Sequence, residues 1–376
     1  MKALRFHGKG DIRLDEIDTP MCLLDEVRIQ VAYCGICGTD VHEYLEGPIL
    51  LPQPGSPNPH TGATIPLTMG HEMSGTISEV GEEIQYLRVG ERVVVNPAMD
   101  DRHHGQPPCS LCISGRPNIC SRSAFYGLQC NSGGFAEEIC VKAIAVVPIP
   151  QDMSLKVATL SEPLAVASHM IRTSGFQPGQ SVVIFGAGPI GCALAWFLKK
   201  GGASYVLVSE ITPQRATQAF NCGADIVIDP SNSPDAVLDA VVDRTSDGAD
   251  IAFDACGLQS TLDAAFKCTK PGGVVFNVAI HDRPLTLQLN ALTLSEKKLL
   301  AGNAYTAEDY RNVLNCLKAH EKDLERFITR IVPLDRAVED GFRELVYNKF
   351  RQNKILVEIS GDSDWSEKPL QRSAKL

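Results

Sequence analysis

The feature that most constrains this chain is the run Ser181-Val-Val-Ile-Phe185, which leads directly into Gly186-Ala-Gly188-Pro189-Ile190-Gly191 and then into an apolar helical stretch. A short apolar run of this kind reads as a strand buried on both faces. A Gly-x-Gly-x-x-Gly turn between such a strand and a helix points to a doubly wound parallel sheet. Gly186 permits the tight turn, Gly188 lets backbone approach a pyrophosphate, and Gly191 lets helix pack closely on strand, with the helix N-terminus facing the phosphates. Glycine clusters also make ordinary turns, but here the required strand precedes the motif and the required helix follows it. A second strand ends at Glu210, 19 residues past Gly191. A carboxylate at that point accepts hydrogen bonds from a ribose 2′-hydroxyl and repels a 2′-phosphate, which favours NAD over NADP. Gly186, Gly188, Pro189, Ile190, Gly191, Glu210 and Arg215 therefore form the expected cofactor site.

The rest of the chain divides around this motif. From Ser181 onward, strand candidates at Ser181–Phe185, Tyr205–Ser209, Ile226–Ile228, 251–254, 274–278 and 298–300 alternate with helical stretches at Pro189–Lys200, 213–220, 236–243 and 260–268. That alternation is the pattern of a parallel α/β sheet. Before about residue 160 the chain reads as short strands, among them 27–32, 75–80 and 91–96, broken by Gly, Pro and Asp as in an all-β domain. An amphipathic helix is expected near 307–318. A last strand at 354–359 has to return to the first domain. The expected organisation is α/β plus β: a β-rich catalytic domain over 1–160 and 301–360, a doubly wound coenzyme domain over 161–300, and a polar, disordered tail over 361–376.

A net charge of −10 over 376 residues argues against nucleic acid or an anionic membrane as partner. No stretch is long and apolar enough for a membrane span, and the first residues lack the apolar core of a signal peptide. Thirteen cysteines in such a chain read as core residues, metal ligands or redox groups before they read as disulfides.

Two cysteine clusters stand out. The first, Cys34-Gly-Ile-Cys37-Gly-Thr39-Asp40-Val-His42, packs two thiols, a hydroxyl, a carboxylate and an imidazole into nine residues, with Gly70-His71-Glu72 and Ser161-Glu162-Pro163 further along. One thiolate, one imidazole and one or two carboxylates supply a catalytic zinc set with an exchangeable position. Cys34 and Cys37 as a CxxC redox pair is the alternative, but no thioredoxin-like βαβ pattern surrounds them. The second cluster is Cys109, Cys112 and Cys120, spaced for a structural zinc in a loop. Gln106 holds the position three before Cys109 and is a poor ligand. Asp100, Asp101, His103 and His104 lie just upstream, and Asp101 or His103 is the expected fourth ligand; three free thiols is the alternative.

With these motifs in place, the chain resembles the zinc-containing medium-chain dehydrogenase/reductase (alcohol dehydrogenase) superfamily from Met1 to about Ser360, on the branch of the 2,3-butanediol and sorbitol dehydrogenases. Cys34–His42, His42–Ile49, Pro66–Glu72, Glu162–Ala167, Pro271–Gly273, Val278–Ile280 and Ala304–Tyr310 carry the resemblance. It implies a GroES-like catalytic domain closing on a Rossmann coenzyme domain. Cys37, His71 and Glu162 would hold catalytic zinc, with Glu72 a ligand or a carboxylate behind the ligands. Thr39 and His42 would relay a proton, and Asp40 would stand behind the ligand set. The implied reaction is hydride transfer between NAD and a small secondary alcohol, expected to be a vicinal diol or its hydroxyketone such as 2,3-butanediol or acetoin. Two departures are notable. The Asp100–Pro108 stretch removes the usual first ligand of the structural zinc, and Cys256 falls beside the nicotinamide side of the cofactor site without an assignable role.

A sorbitol, xylitol or threonine dehydrogenase is the same chemistry on another substrate. A zinc-free quinone reductase of the same fold would lack Cys37, His71 and Glu162. A non-catalytic NAD-binding regulatory or structural protein is the alternative of another class. Pairing of coenzyme-domain sheets around 274–300 predicts a homodimer or homotetramer. The expected location is cytoplasmic, with a peroxisomal alternative because Ala374-Lys375-Leu376 resembles the terminal Ser-Lys-Leu address.

Overall fold

The computed structural model describes residues 1–233, 235–281 and 283–362. Ser181–Phe185 is buried along its whole length because it lies inside a six-stranded parallel sheet. It pairs with Tyr205–Ser209 on one side and with Ala249–Asp254 on the other. Ile226–Ile228 closes one edge; Thr269–Asn277 and then Lys298–Ala301 close the other. The strand order reverses at the fingerprint strand, and in such sheets the crevice at that reversal is where ligands bind. The helix Pro189–Lys200 starts immediately after the glycine turn, with proline at its first position.

The β-rich part is built on a seven-stranded sheet in the order Val146–Pro148, Arg92–Val95, Glu72–Val80, Glu26–Gly35, Lys354–Glu358, Ile328–Pro333, with Glu138–Lys142 also pairing to Glu26–Gly35. The last strand does return as expected: Leu356 pairs with Gly35, Val357 with Cys34 and Glu358 with Tyr33. Its parallel neighbour Ile328–Pro333 carries little strand signal in the sequence, because Thr329 and Arg330 break its short apolar run.

One apolar core, including Phe6, Met69, Phe135 and Phe342, fills this part. A second runs from Leu155, Leu160 and Leu164 through the fingerprint strand to Tyr305 and Tyr310, so the helix Ser161–Ser174 is packed into the same core as the coenzyme sheet. Asp362, placed in the tail by the sequence, accepts hydrogen bonds from Arg92 Nη2 and from the Leu155 N–H, so the chain stays anchored at least that far. The rest of the expected tail, with Ala374-Lys375-Leu376, lies outside the described residues.

Candidate active site and second cysteine site

Cys37 caps the helix Gly38–Glu46, and its backbone N–H donates to Asp40 Oδ2 at 2.9 Å. His71 reaches the same spot from the neighbouring strand, whose first residue Glu72 pairs with Gly35. It follows Gly70, whose φ of +93° and whose close approach to Cys34 and Phe135 exclude a side chain. Ligand atoms of Cys37, His71 and Glu72 all lie within 4.8 Å of one another.

Asp40 is fully buried, and its Oδ1 stands 3.5 Å from His71 Nδ1; among the described residues neither atom has a hydrogen-bond partner. A carboxylate on one ring nitrogen orients the imidazole and leaves the other nitrogen for a metal. Burial disfavours the His71 imidazolium, but the charges of Asp40 and Cys37 outweigh it and raise the group well above its ordinary range. One half-buried thiol with a buried imidazole and carboxylate is a donor set that fits zinc.

Glu72 is not simply a third ligand. Lys354 Nζ donates to both of its carboxylate oxygens, at 2.6 and 2.8 Å, and also to the carbonyl of Ile36, and both charged groups are buried. Sequence reasoning missed Lys354; the signal was a lysine opening the apolar run Ile355–Val357. Glu162 is buried but stands outside the 4.8 Å cluster, on the helix Ser161–Ser174. Burial, reinforced by the charge of Glu72, pushes its carboxyl up to about 7, and the buried Tyr305 hydroxyl sits beside it. Thr39 Oγ1 is 3.7 Å from Cys37 Sγ. His42, one turn further along the same helix, is exposed. Cys34 is instead a core thiol: it is fully buried, and burial raises it well above the thiol range.

At the fingerprint, Gly186 has a φ of +98°, and a Cβ there would meet Cys256 Sγ at 2.6 Å. Cys256 therefore packs against the first glycine of the turn. Added atoms at Gly188 would meet nothing within 4 Å, which is the open cradle a pyrophosphate needs. Glu210 is buried at the end of its strand, accepting from the Ala187 N–H in the glycine turn at 2.8 Å and from the Thr212 N–H at 2.9 Å. Arg215 lies on the next helix, its guanidinium 5.8 Å from the Phe350 ring. Pro189 and Ile190 open the fingerprint helix.

The second cysteine group gathers Asp101, Cys109, Cys112 and Cys120, with ligand atoms all within 4.8 Å of one another. Asp101 is held there by the Cys109 N–H, which donates at 2.7 Å, and by Arg122; these contacts depress its carboxyl far below the usual range. Hydrogen bonds from the Cys112 and Ser121 backbone lower the Cys109 thiol to about 7. His103, the other candidate, is not in the group. Its Nδ1 accepts from the Asp100 N–H at 3.0 Å, which ties the ring to its own turn.

Residues 24–151 match the alcohol dehydrogenase GroES-like domain family, and residues 189–319 match the zinc-binding dehydrogenase family. The chain is 36% identical to (R,R)-butanediol dehydrogenase of Saccharomyces cerevisiae, covering 95% of this chain and 98% of the yeast protein. It is 30% identical to the sorbitol dehydrogenase of Bombyx mori, covering 90% of this chain and 93% of that protein. Among solved structures, 2R,3R-butanediol dehydrogenase from Bacillus subtilis superposes with a TM-score of 0.88 at 35% identity, over 95% of this chain and 99% of that one. The protein belongs to the zinc-binding alcohol dehydrogenases of the medium-chain superfamily, with a GroES-like domain and a six-stranded coenzyme sheet.

Proposed function

We propose that the protein is an NAD-linked, zinc-dependent dehydrogenase that interconverts a small vicinal diol and its hydroxyketone, on the pattern of 2,3-butanediol and acetoin. The observation that carries the chemistry is the cluster of half-buried Cys37 with buried His71 and Glu72, with Thr39 beside the thiol. The butanediol dehydrogenases among the relatives carry the substrate. When bound, zinc supplies a Lewis acid that lowers the pKa of an alcohol, and NAD supplies the hydride acceptor.

Cys37 and His71 hold the metal in this account, with Glu72 and Glu162 as the neighbouring carboxylates, and Asp40 fixes the orientation of the His71 ring. Thr39 Oγ1 takes up the substrate hydroxyl proton and passes it toward the His42 ring, whose exposure opens the route to water. The glycine turn and Glu210 seat the dinucleotide, with the ribose diol on the Glu210 carboxylate and Arg215 alongside. A panel of butanediol stereoisomers, acetoin, sorbitol, xylitol and threonine with NAD tests the substrate. Efficiency is expected to be highest for the diol of about four carbons and its hydroxyketone. Sorbitol or threonine used far more efficiently than these would overturn the assignment.

The second cluster is proposed as a structural zinc site with Asp101 completing the three thiols, which elemental analysis reads as two metals per chain. A homodimer or homotetramer is proposed through the sheet edge at Lys298–Ala301. Leu294 is 84% exposed just before that strand, and Leu289 and Leu299 are exposed near it. A monomer in sedimentation would contradict this.

The location proposed is cytoplasmic. Peroxisomal import through Ala374-Lys375-Leu376 is the outcome to look for with a fluorescent protein carrying residues 361–376. Among the described residues no helix is long and apolar enough to cross a membrane.

A further inference from the structure

Asn118 lies in the turn Pro117–Ile119, two residues before Cys120, and is buried although it belongs to the cysteine loop. Its side-chain Nδ2 donates to the Asn303 carbonyl at 2.9 Å and approaches His169 Nε2 at 3.4 Å. Both targets lie on elements that also carry groups of the candidate active site. Asn303 is two residues before Tyr305, which sits beside Glu162, and His169 is two turns along the helix that carries Glu162.

The turn that Asn118 grips is not relaxed. Ala304 has a φ of +50°, a conformation that a residue with a Cβ keeps only when its surroundings hold it. On the far side the Thr306 N–H and hydroxyl both donate to Asp309 Oδ2, at 2.9 and 2.7 Å. Asp309 Oδ2 also pairs with His169 Nδ1 at 2.8 Å. A His169 that donates from Nδ1 to Asp309 presents Nε2 as an acceptor, which matches the N–H that Asn118 offers.

We infer that Asn118 is a positioning residue that fastens the cysteine loop to the Gly302–Tyr305 turn and to the Glu162 helix. Through it, the shape of the Asp101–Cys109–Cys112–Cys120 site is transmitted to the wall of the active site. The transmission rests on the proposal that this site holds a metal; the fastening does not.

In the holoenzyme, Asn118→Ala is expected to lower kcat about tenfold while KM for the alcohol moves by less than about twofold, since a turn beside the reacting groups shifts without loss of a substrate contact. Amide exchange should accelerate over residues 302–306 and 162–170 and stay unchanged in the strands 181–185 and 205–209. Asn118→Asp, of the same size but without the N–H donors, should reproduce this pattern. Asp101→Asn, or Cys112→Ser if the first variant keeps its metal, should lose one metal per chain and show the same pattern, and adding Asn118→Ala should bring no further loss.

Wild-type kcat and exchange in Asn118→Ala would overturn the inference, as would faster exchange spread evenly over the chain. Multiplicative losses in the double variant would overturn the transmission. One metal per wild-type chain, with the local pattern still present in Asn118→Ala, would remove the second metal and leave the fastening in place.

Discussion

Lys354 Nζ lies 2.6 Å from one carboxylate oxygen of Glu72 and 2.8 Å from the other, joining residues 282 positions apart beneath the candidate metal site. The strand that opens with Lys354 is the one that returns to pair with Glu26–Gly35, so the pair exists only once the chain has closed on itself. A buried ion pair is weak evidence of net stabilisation, but removing one partner strands the other charge. Lys354→Met is therefore expected to destabilise the metal-free protein by about 3–5 kcal/mol, with Lys354→Arg losing much less. Denaturant unfolding of the two variants checks this. A methionine variant as stable as wild type would show that Glu72 does not need this partner.

Glu210 lies at the end of its strand with its carboxylate against the Ala187 N–H of the glycine turn. Removing that charge should relieve the repulsion of a 2′-phosphate. Glu210→Ser is expected to shift the ratio of NAD to NADP efficiencies toward NADP by about 10–100-fold, corresponding to about 1–3 kcal/mol. Steady-state kinetics with both cofactors measures it. A wild-type enzyme that prefers NADP would contradict the placement of the ribose diol.

Asp309 offers a test by pH. Burial works to raise its carboxyl, but hydrogen bonds from Arg172, His169 and Thr306 prevail and hold it far below the usual carboxylate range. A carboxyl depressed by folding adds stability that is fully present above the unfolded pKa and lost as pH falls toward the folded one. Asp309→Asn should cost roughly 2 kcal/mol near pH 7, discounted because Arg172 is half exposed. The gap to wild type should hold down to about pH 5 and narrow below it. Unfolding curves at pH 7 and pH 3.5 measure the change; a gap that stays constant or widens in acid would mean that Asp309 is not held as an anion.

Much of this fold can be read along the chain because its signals are local. The strand Ser181–Phe185, the glycine turn and the helix Pro189–Lys200 occupy the residues that their apolar pattern and start signals indicate. The meeting of Cys37 with His71 was expected through the family resemblance, which set Glu162 beside them and left Glu72 open; the fold groups Glu72 with the pair and leaves Glu162 outside the 4.8 Å cluster. Residues whose roles depend on closure across the chain were not legible. Lys354 looks like a strand residue until the strand lies beside Glu72. Tyr305 and Asn118 look like ordinary turn residues until the turns meet at the helix Ser161–Ser174. Among the residues upstream of Cys109, composition alone could not separate Asp101 from His103. Only the fold shows that the His103 ring is bound to its own turn while Asp101 faces the thiols.

Cys37 and His71 are proposed to hold the zinc on which turnover depends, while the coenzyme fold stands without it. The most direct measurement is NAD-linked oxidation of 2,3-butanediol by Cys37→Ala, with NADH binding followed by fluorescence in the same sample. Turnover should fall by roughly three orders of magnitude or more, while NADH affinity stays within about threefold of wild type. A Cys37→Ala enzyme that lacks metal at this site and still turns over at the wild-type rate would contradict the account.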